Sequence, residues 1–144
     1  MNLVVLDASV AAKWLVWAGE PLEAEALGLV KLRNQGQLEF VVPDLFWPEM
    51  GSILCKAVQR VRCTEEVARR SIHELRNYHL PTAPSEPLLE SAFAIARRYD
   101  RSFYDSIYLA LAVSRQATLV TADEKLANAT AAYLPVKWLG ALQL

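Results

Sequence analysis

The chain switches repeatedly between two incompatible hydrophobic periods, and this limits its fold more than any other feature. "LVVL" (Leu3 to Leu6), "FVV" (Phe40 to Val42), "TLVT" (Thr118 to Thr121) and "VKW" (Val136 to Trp138) are short, apolar and partly β-branched, as buried strands are. Between them lie longer stretches with helical spacing and helix punctuation. Ser9 is placed to cap a helix through about Trp17, Pro21 opens one ending near Gly36, and another runs from about Trp47 to Arg60. Thr64 caps a helix through about Tyr78, with Glu65 and Glu66 in the first turn, where the helix dipole favours acids. "LPTAP" is a short extended piece, and helices follow from about Pro87 to Tyr99, from Ser102 to about Gln116, and just after Asp123. Strands alternating with helices predict an α/β fold, with a central parallel sheet flanked by helices on both faces.

The 144 residues are 53% hydrophobic and 22% charged, enough to bury a sizeable core. Repeats, low-complexity tracts and long linkers are absent, so one domain over residues 1–144 is expected. A formal net charge of −1 supplies no global positive field, and any polyanionic substrate must be met by local groups. Cys55 and Cys63 lack zinc-type spacing and are expected to be reduced, mainly packing thiols. No basic segment leads into a long apolar core, and runs such as "IYLALAV" fall short of the roughly 18 residues that span a bilayer. A cytoplasmic protein without a membrane partner is the expectation.

Four acids stand where such a sheet would gather them. Asp7 ends the first strand, and Asp123 lies two residues past "TLVT". If these strands pair, their axes are roughly 4.8 Å apart and both carboxylates enter one crevice at the carboxyl edge of the sheet. Glu49, after Pro48, and Asp105, three residues after the cap Ser102, fall in first turns of helices that lean toward the same edge. Each has a bland role as cap or turn residue, but a carboxylate wedged between a buried strand and an apolar helix, as Asp7 is, needs a partner. Like charges brought together require protons or a cation, and oxygen-only ligands suit Mg²⁺ or Mn²⁺ better than zinc.

Other chemistries lack their signatures. None of the five glycines belongs to a phosphate-cradling loop, Ser106 has no nucleophile elbow around it, and His73 and His79 are expected to be surface or packing residues. Trp14 and Trp47 are expected in the core. Trp17 is balanced between the core and a partner groove.

"VVLDASVAAKWL", "PDLFWPEMGSILCKAV", "YDSIYLALA" and "LVTADEKLA", in this order and spacing, resemble the PIN-domain nucleases, specifically the VapC-type toxins of toxin–antitoxin pairs. The resemblance extends over essentially the whole chain. It implies a PIN-like α/β fold and Mg²⁺- or Mn²⁺-dependent endoribonuclease activity. It further implies a cognate VapB-type antitoxin and a homodimer. The family's four acids match Asp7, Glu49, Asp105 and Asp123, with Asp7, Asp105 and Asp123 as the metal set. Asp7 and Asp123 are the principal ligands, and Glu49 and Asp105 complete the shell or orient the water. Ser9 and Thr121 match small hydroxyl positions that arrange this shell. Ser52 stands where many relatives carry Asn, and Lys13 falls near the site as a substrate contact. The alternatives are a weakly catalytic or inactive PIN-like RNA-binding module, which only Ser52 favours, and an RNA-processing nuclease without an antitoxin.

Overall fold

The computed structural model describes residues 2–15 and 20–144. Five strands, β1 (Asn2–Leu6), β2 (Leu38–Pro43), β3 (Thr82–Ala83), β4 (Thr118–Thr121) and β5 (Val136–Trp138), form one parallel sheet in the order β3-β2-β1-β4-β5. The helices are α1 (Ala8–Ala11), α2 (Glu23–Asn34), α3 (Phe46–Gln59), α4 (Glu65–Asn77), α5 (Leu89–Tyr99), α6 (Phe103–Arg115) and α7 (Glu124–Thr130). The expected pairing of the first strand with "TLVT" is present, with Val4, Val5 and Leu6 opposite Thr118, Leu119 and Val120.

The period of two in each strand divides the core into two layers. Val4 and Leu6 of β1, Phe40 and Val42 of β2, and Val120 of β4 join one core with Phe46, Met50 and Leu54 of α3 and Leu75 of α4. Val5, Val41, Leu119 and Val136 pack on the opposite face against Ala92 of α5, the run Ile107 to Ala112 of α6, and Leu126 of α7. Burial on both faces is why β1 is apolar throughout its last three residues, and each fully buried Val or Leu there stabilises the fold by roughly 1.5–3 kcal/mol. The α6 run is buried almost all round, and its small Ala110 and Ala112 are among the residues that allow close packing.

From β1 the chain steps outward to β2 and β3, then crosses to the other side of β1 to form β4 and β5. The direction of winding thus reverses between β1 and β4. Their carboxyl ends border the crevice that such a reversal opens.

The boundaries differ from expectation in a few places. Ser9 does not cap α1: the N-cap position belongs to Asp7, and the Ser9 hydroxyl is engaged elsewhere. α1 gives way to a 3-10 turn at Ala12–Trp14, and Trp17 lies outside the described residues. Helix α2 starts at Glu23 rather than at Pro21, because Leu22 has a left-handed backbone (φ 64°) that the helix cannot include. The extended piece "LPTAP" contains β3, an edge strand paired with Val42 and Pro43. Trp14 is buried, its indole N–H donating to the Ala26 carbonyl at 2.9 Å. Trp47 packs partly buried against the core and donates to Thr82 Oγ1 at 3.0 Å. Cys63 packs against the core as expected, whereas Cys55 is exposed on α3. Among the described residues, no helix is long and apolar enough to cross a membrane.

Candidate active site at the carboxyl edge of the sheet

Asp7 continues the β1–β4 ladder by one step, its N–H donating to the Val120 carbonyl at 3.2 Å. That bond fixes its backbone, and its side chain remains only 8% exposed. Oδ2 accepts two hydrogen bonds, from Thr121 Oγ1 at 2.6 Å and from Ser9 Oγ at 3.0 Å. Both hydroxyls are themselves held by the turn after β4: Thr121 Oγ1 accepts from the Asp123 N–H at 3.0 Å, and Ser9 Oγ accepts from the Ala122 N–H at 3.2 Å. Asp7 and the Asp123 turn are therefore joined through one buried threonine. Asp123 in turn caps α7, its Oδ1 accepting from the Leu126 N–H at 3.1 Å.

Glu49 and Asp105 come from opposite faces of the sheet, in the first turns of α3 and α6. Asp105 is positioned by Ser102, whose hydroxyl accepts the Asp105 N–H at 3.1 Å. Burial is the main force raising Asp7, Glu49 and Asp105 above the ordinary carboxylate range. Mutual repulsion adds to it. Asp105 acts on Asp7, both Asp7 and Asp105 act on Glu49, and Asp123 acts on Asp105. The four acids from four distant stretches of sequence thus sense one another as charges.

Tyr108 belongs to this group although the sequence reading overlooked it. Its ring is fully buried, and burial together with the nearby Asp7 and Glu49 charges raises the phenol far above its ordinary value, so it keeps its proton. Its hydroxyl faces Glu49, yet no bond of full hydrogen-bond geometry joins them. Tyr108 Oη and Glu49 Oε1 are the buried side-chain polar atoms without a partner among the described residues. The signal was its spacing, since Asp105 and Tyr108 stand at i and i+3 on one helix face.

Ser52 is exposed on α3, apart from the bonded group of Asp7, Ser9, Thr121 and Asp123. Lys13 lies with Ser9 on the wall of an adjoining cavity, its Nζ 3.6 Å from Glu20 Oε2. His73 and His79 are exposed and line a separate cavity beside Trp47.

Among the described residues, no three His, Cys, Asp or Glu side chains converge so as to hold an ion unaided. A closed cage of protein ligands is therefore not what this crevice offers. It offers an all-oxygen donor set, an unpartnered buried oxygen on Glu49, and carboxylates raised by burial and further by one another's charge. This fits a hard cation such as Mg²⁺ or Mn²⁺ that keeps several waters and takes few protein ligands.

A PIN domain family model matches residues 4–132. The chain is a PIN-domain protein of the VapC type. VapC ribonuclease Mb0985 from Mycobacterium bovis is 30% identical over 134 residues, covering 93% of this chain and 96% of that protein. Among solved structures, PAE2754 from Pyrobaculum aerophilum superposes with a TM-score of 0.69 at 22% identity, over 96% of this chain and 85% of that one. VapBC2 from Rickettsia felis, solved bound to a DNA fragment from its promoter, gives a TM-score of 0.68 at 11% identity, over 94% and 98% of the two chains. At these identities the two solved structures speak for the PIN-like fold alone. The crevice between β1 and β4 is where this VapC-type chain gathers its acids.

Proposed function

We propose that this protein is a Mg²⁺- or Mn²⁺-dependent endoribonuclease, the toxin of a toxin–antitoxin pair, acting in the cytoplasm on an RNA phosphodiester. The observation that carries the reading is the buried Asp7 carboxylate, tied through Thr121 to the Asp123 turn and charge-coupled to Glu49 and Asp105. Support for the substrate class comes from a relative named as a VapC ribonuclease. A VapB-type antitoxin is the partner this reading expects of a VapC-type chain.

Asp7, Asp105 and Asp123 would hold the cation, which when bound supplies Lewis-acid stabilisation of the phosphate and a lowered pKa for a coordinated water. The chain's own residues do the rest. Thr121 and Ser9 occupy one oxygen of Asp7, which fixes the direction of the other. Ser102 fixes the backbone at Asp105, and the Leu126 N–H of α7 holds one oxygen of the Asp123 carboxylate. Glu49, its carboxyl raised above the ordinary range by burial and then by its acidic neighbours, is a stronger base than an exposed glutamate and can accept a proton from the attacking water. Tyr108, which cannot give up its proton, can only donate toward Glu49. Ser52 stays at the periphery of this shell, and Lys13 contacts a phosphate beside the scissile one. Leu89 and Phe93, one turn apart and exposed on α5, with Tyr104 exposed on α6, offer the apolar face for a homodimer.

The test is cleavage of end-labelled RNAs by the purified protein. Cleavage is expected with Mg²⁺ or Mn²⁺, none in EDTA, and about a thousandfold less with Asp7→Asn, the scale of losing a principal metal ligand. Equal cleavage in EDTA and by Asp7→Asn contradicts the reading.

A further inference from the structure

The acidic crevice repels the very polymer it is proposed to cut, and a net charge of −1 gives the molecule no general attraction for RNA. Local cations must supply it. A cavity of about 160 Å³ opens beside Ser9, the residue whose hydroxyl donates to Asp7. Lys13, Lys56, Arg60 and Arg62 line it. Sequence alone points to Lys13 near the site, and only the fold brings Lys56, Arg60 and Arg62 beside it.

Helix geometry connects this cavity to the crevice. Glu49, Ile53 and Lys56 follow one another along α3 at spacings of four and three residues, which sets them on one face of the helix, and Arg60 at its C-cap lies four residues further on. At 1.5 Å per residue, Lys56 lies roughly 10 Å along the axis from Glu49. A strand whose scissile phosphate occupies the crevice can pass along this face to the cavity without leaving the surface.

The cavity already holds an anionic group. Glu20, the one acid among the described residues that line it, pairs with Arg62 and approaches Lys13 at 3.6 Å. Hydrogen bonding and charge from Arg62, with Lys13 adding to them, lower Glu20 below the ordinary carboxylate range, so it is ionised at neutral pH. One carboxylate faces four cations, and the surplus is positive.

We propose that this cavity is a subsite for a backbone phosphate of the RNA, formed by Lys13, Lys56, Arg60 and Arg62, and that Glu20 occupies it as an internal carboxylate the phosphate displaces. The proposal rests on the ribonuclease reading for its ligand, but it does not depend on cleavage. Arg62 changes partner from Glu20 to the incoming phosphate, and Lys56 and Arg60 add contacts that Glu20 does not use.

The test is binding of a fluorescein-labelled single-stranded RNA 12-mer in EDTA, followed by anisotropy over a range of salt. Lys56→Ala and Arg60→Ala are each expected to weaken binding several-fold and to flatten the plot of log affinity against log salt by about 0.7, the increment for one phosphate contact on a single strand. Glu20→Gln is expected to strengthen binding by roughly threefold, since it removes the competitor at an exposed ion pair. Thermal unfolding of each variant checks that the fold is retained. Unchanged affinity and salt slope in both cation variants overturns the subsite, as does an unchanged or weaker affinity in Glu20→Gln, or no RNA binding by the wild type. RNA binding with these signatures but without metal-dependent cleavage overturns the nuclease reading and leaves the subsite standing. Metal-dependent cleavage with no effect of the cation variants does the reverse.

Discussion

At the scale of single residues, the site is expensive to keep. Asp7 is buried and held among like charges, so its ionised form is disfavoured in the metal-free protein. Asp7→Asn removes that charge while keeping the shape. In EDTA at neutral pH it is expected to raise the melting temperature, although the same substitution is expected to lower cleavage about a thousandfold. A scan of wild type and variant checks the sign, and a lower melting temperature for the variant speaks against a strained carboxylate. Tyr108→Phe removes a buried hydroxyl that lacks a full partner. Its stability is expected to be unchanged or higher, while RNA cleavage falls about tenfold, the scale of the hydrogen bond to a charged group that the hydroxyl would make on closing onto ionised Glu49 in the reaction. Loss of stability with unchanged cleavage marks Tyr108 as a packing residue only. The four acids were legible in the sequence because each follows a strand or opens a helix, where a charge needs a reason. Tyr108 was not, since an aromatic residue inside "IYLALA" reads as core, which it also is.

At the scale of elements, one hydroxyl links two strand ends. Thr121 is fully buried, donates to Asp7 and accepts from the Asp123 N–H. Thr121→Val keeps the volume and removes both bonds, and it is expected to cost about 1–3 kcal/mol in urea unfolding as well as most of the activity. Ser102→Ala is milder: it removes the N-cap of α6, for about 1 kcal/mol, and loosens Asp105. The strands and most helices were legible because apolar period and caps agree, as with Thr64 at α4 and Ser102 at α6. The first helix was misjudged for a physical reason. Ser9 has the chemistry of a cap, but Asp7 and the Ala122 N–H compete for its hydroxyl and win. Backbone strain such as the left-handed Leu22 leaves no mark on hydrophobic period. The cation cavity was hidden for another reason, because its residues are spread over α1, α3 and the segments beyond them.

At the scale of the molecule, the acids make stability depend on pH and on metal. Asp7, Glu49 and Asp105 have folded pKa values above their unfolded ones, so the fold binds more protons than the unfolded chain as pH rises above about 4. Their contribution is fully present below the unfolded value and is lost as pH rises through the raised values. Glu20 and Asp44 are shifted the opposite way and are already ionised above about pH 5, so they do not mask the trend. Without metal, the melting temperature is expected to fall as pH rises from about 5 through the raised values of these carboxyls. The proposed homodimer is tested at the exposed apolar face of α5: Phe93→Asp is expected to give monomers in size-exclusion chromatography with light scattering, whereas an unchanged mass removes this face from the dimer.

The central claim is that these carboxylates stand together because a divalent cation belongs among them. Thermal unfolding at pH 8 with increasing Mn²⁺, for the wild type and Asp7→Asn side by side, tests it without RNA or partner. The wild type is expected to gain melting temperature in proportion to the logarithm of Mn²⁺ above its dissociation constant, with Asp7→Asn nearly insensitive. Equal responses from the two proteins, or no response from the wild type, contradict it.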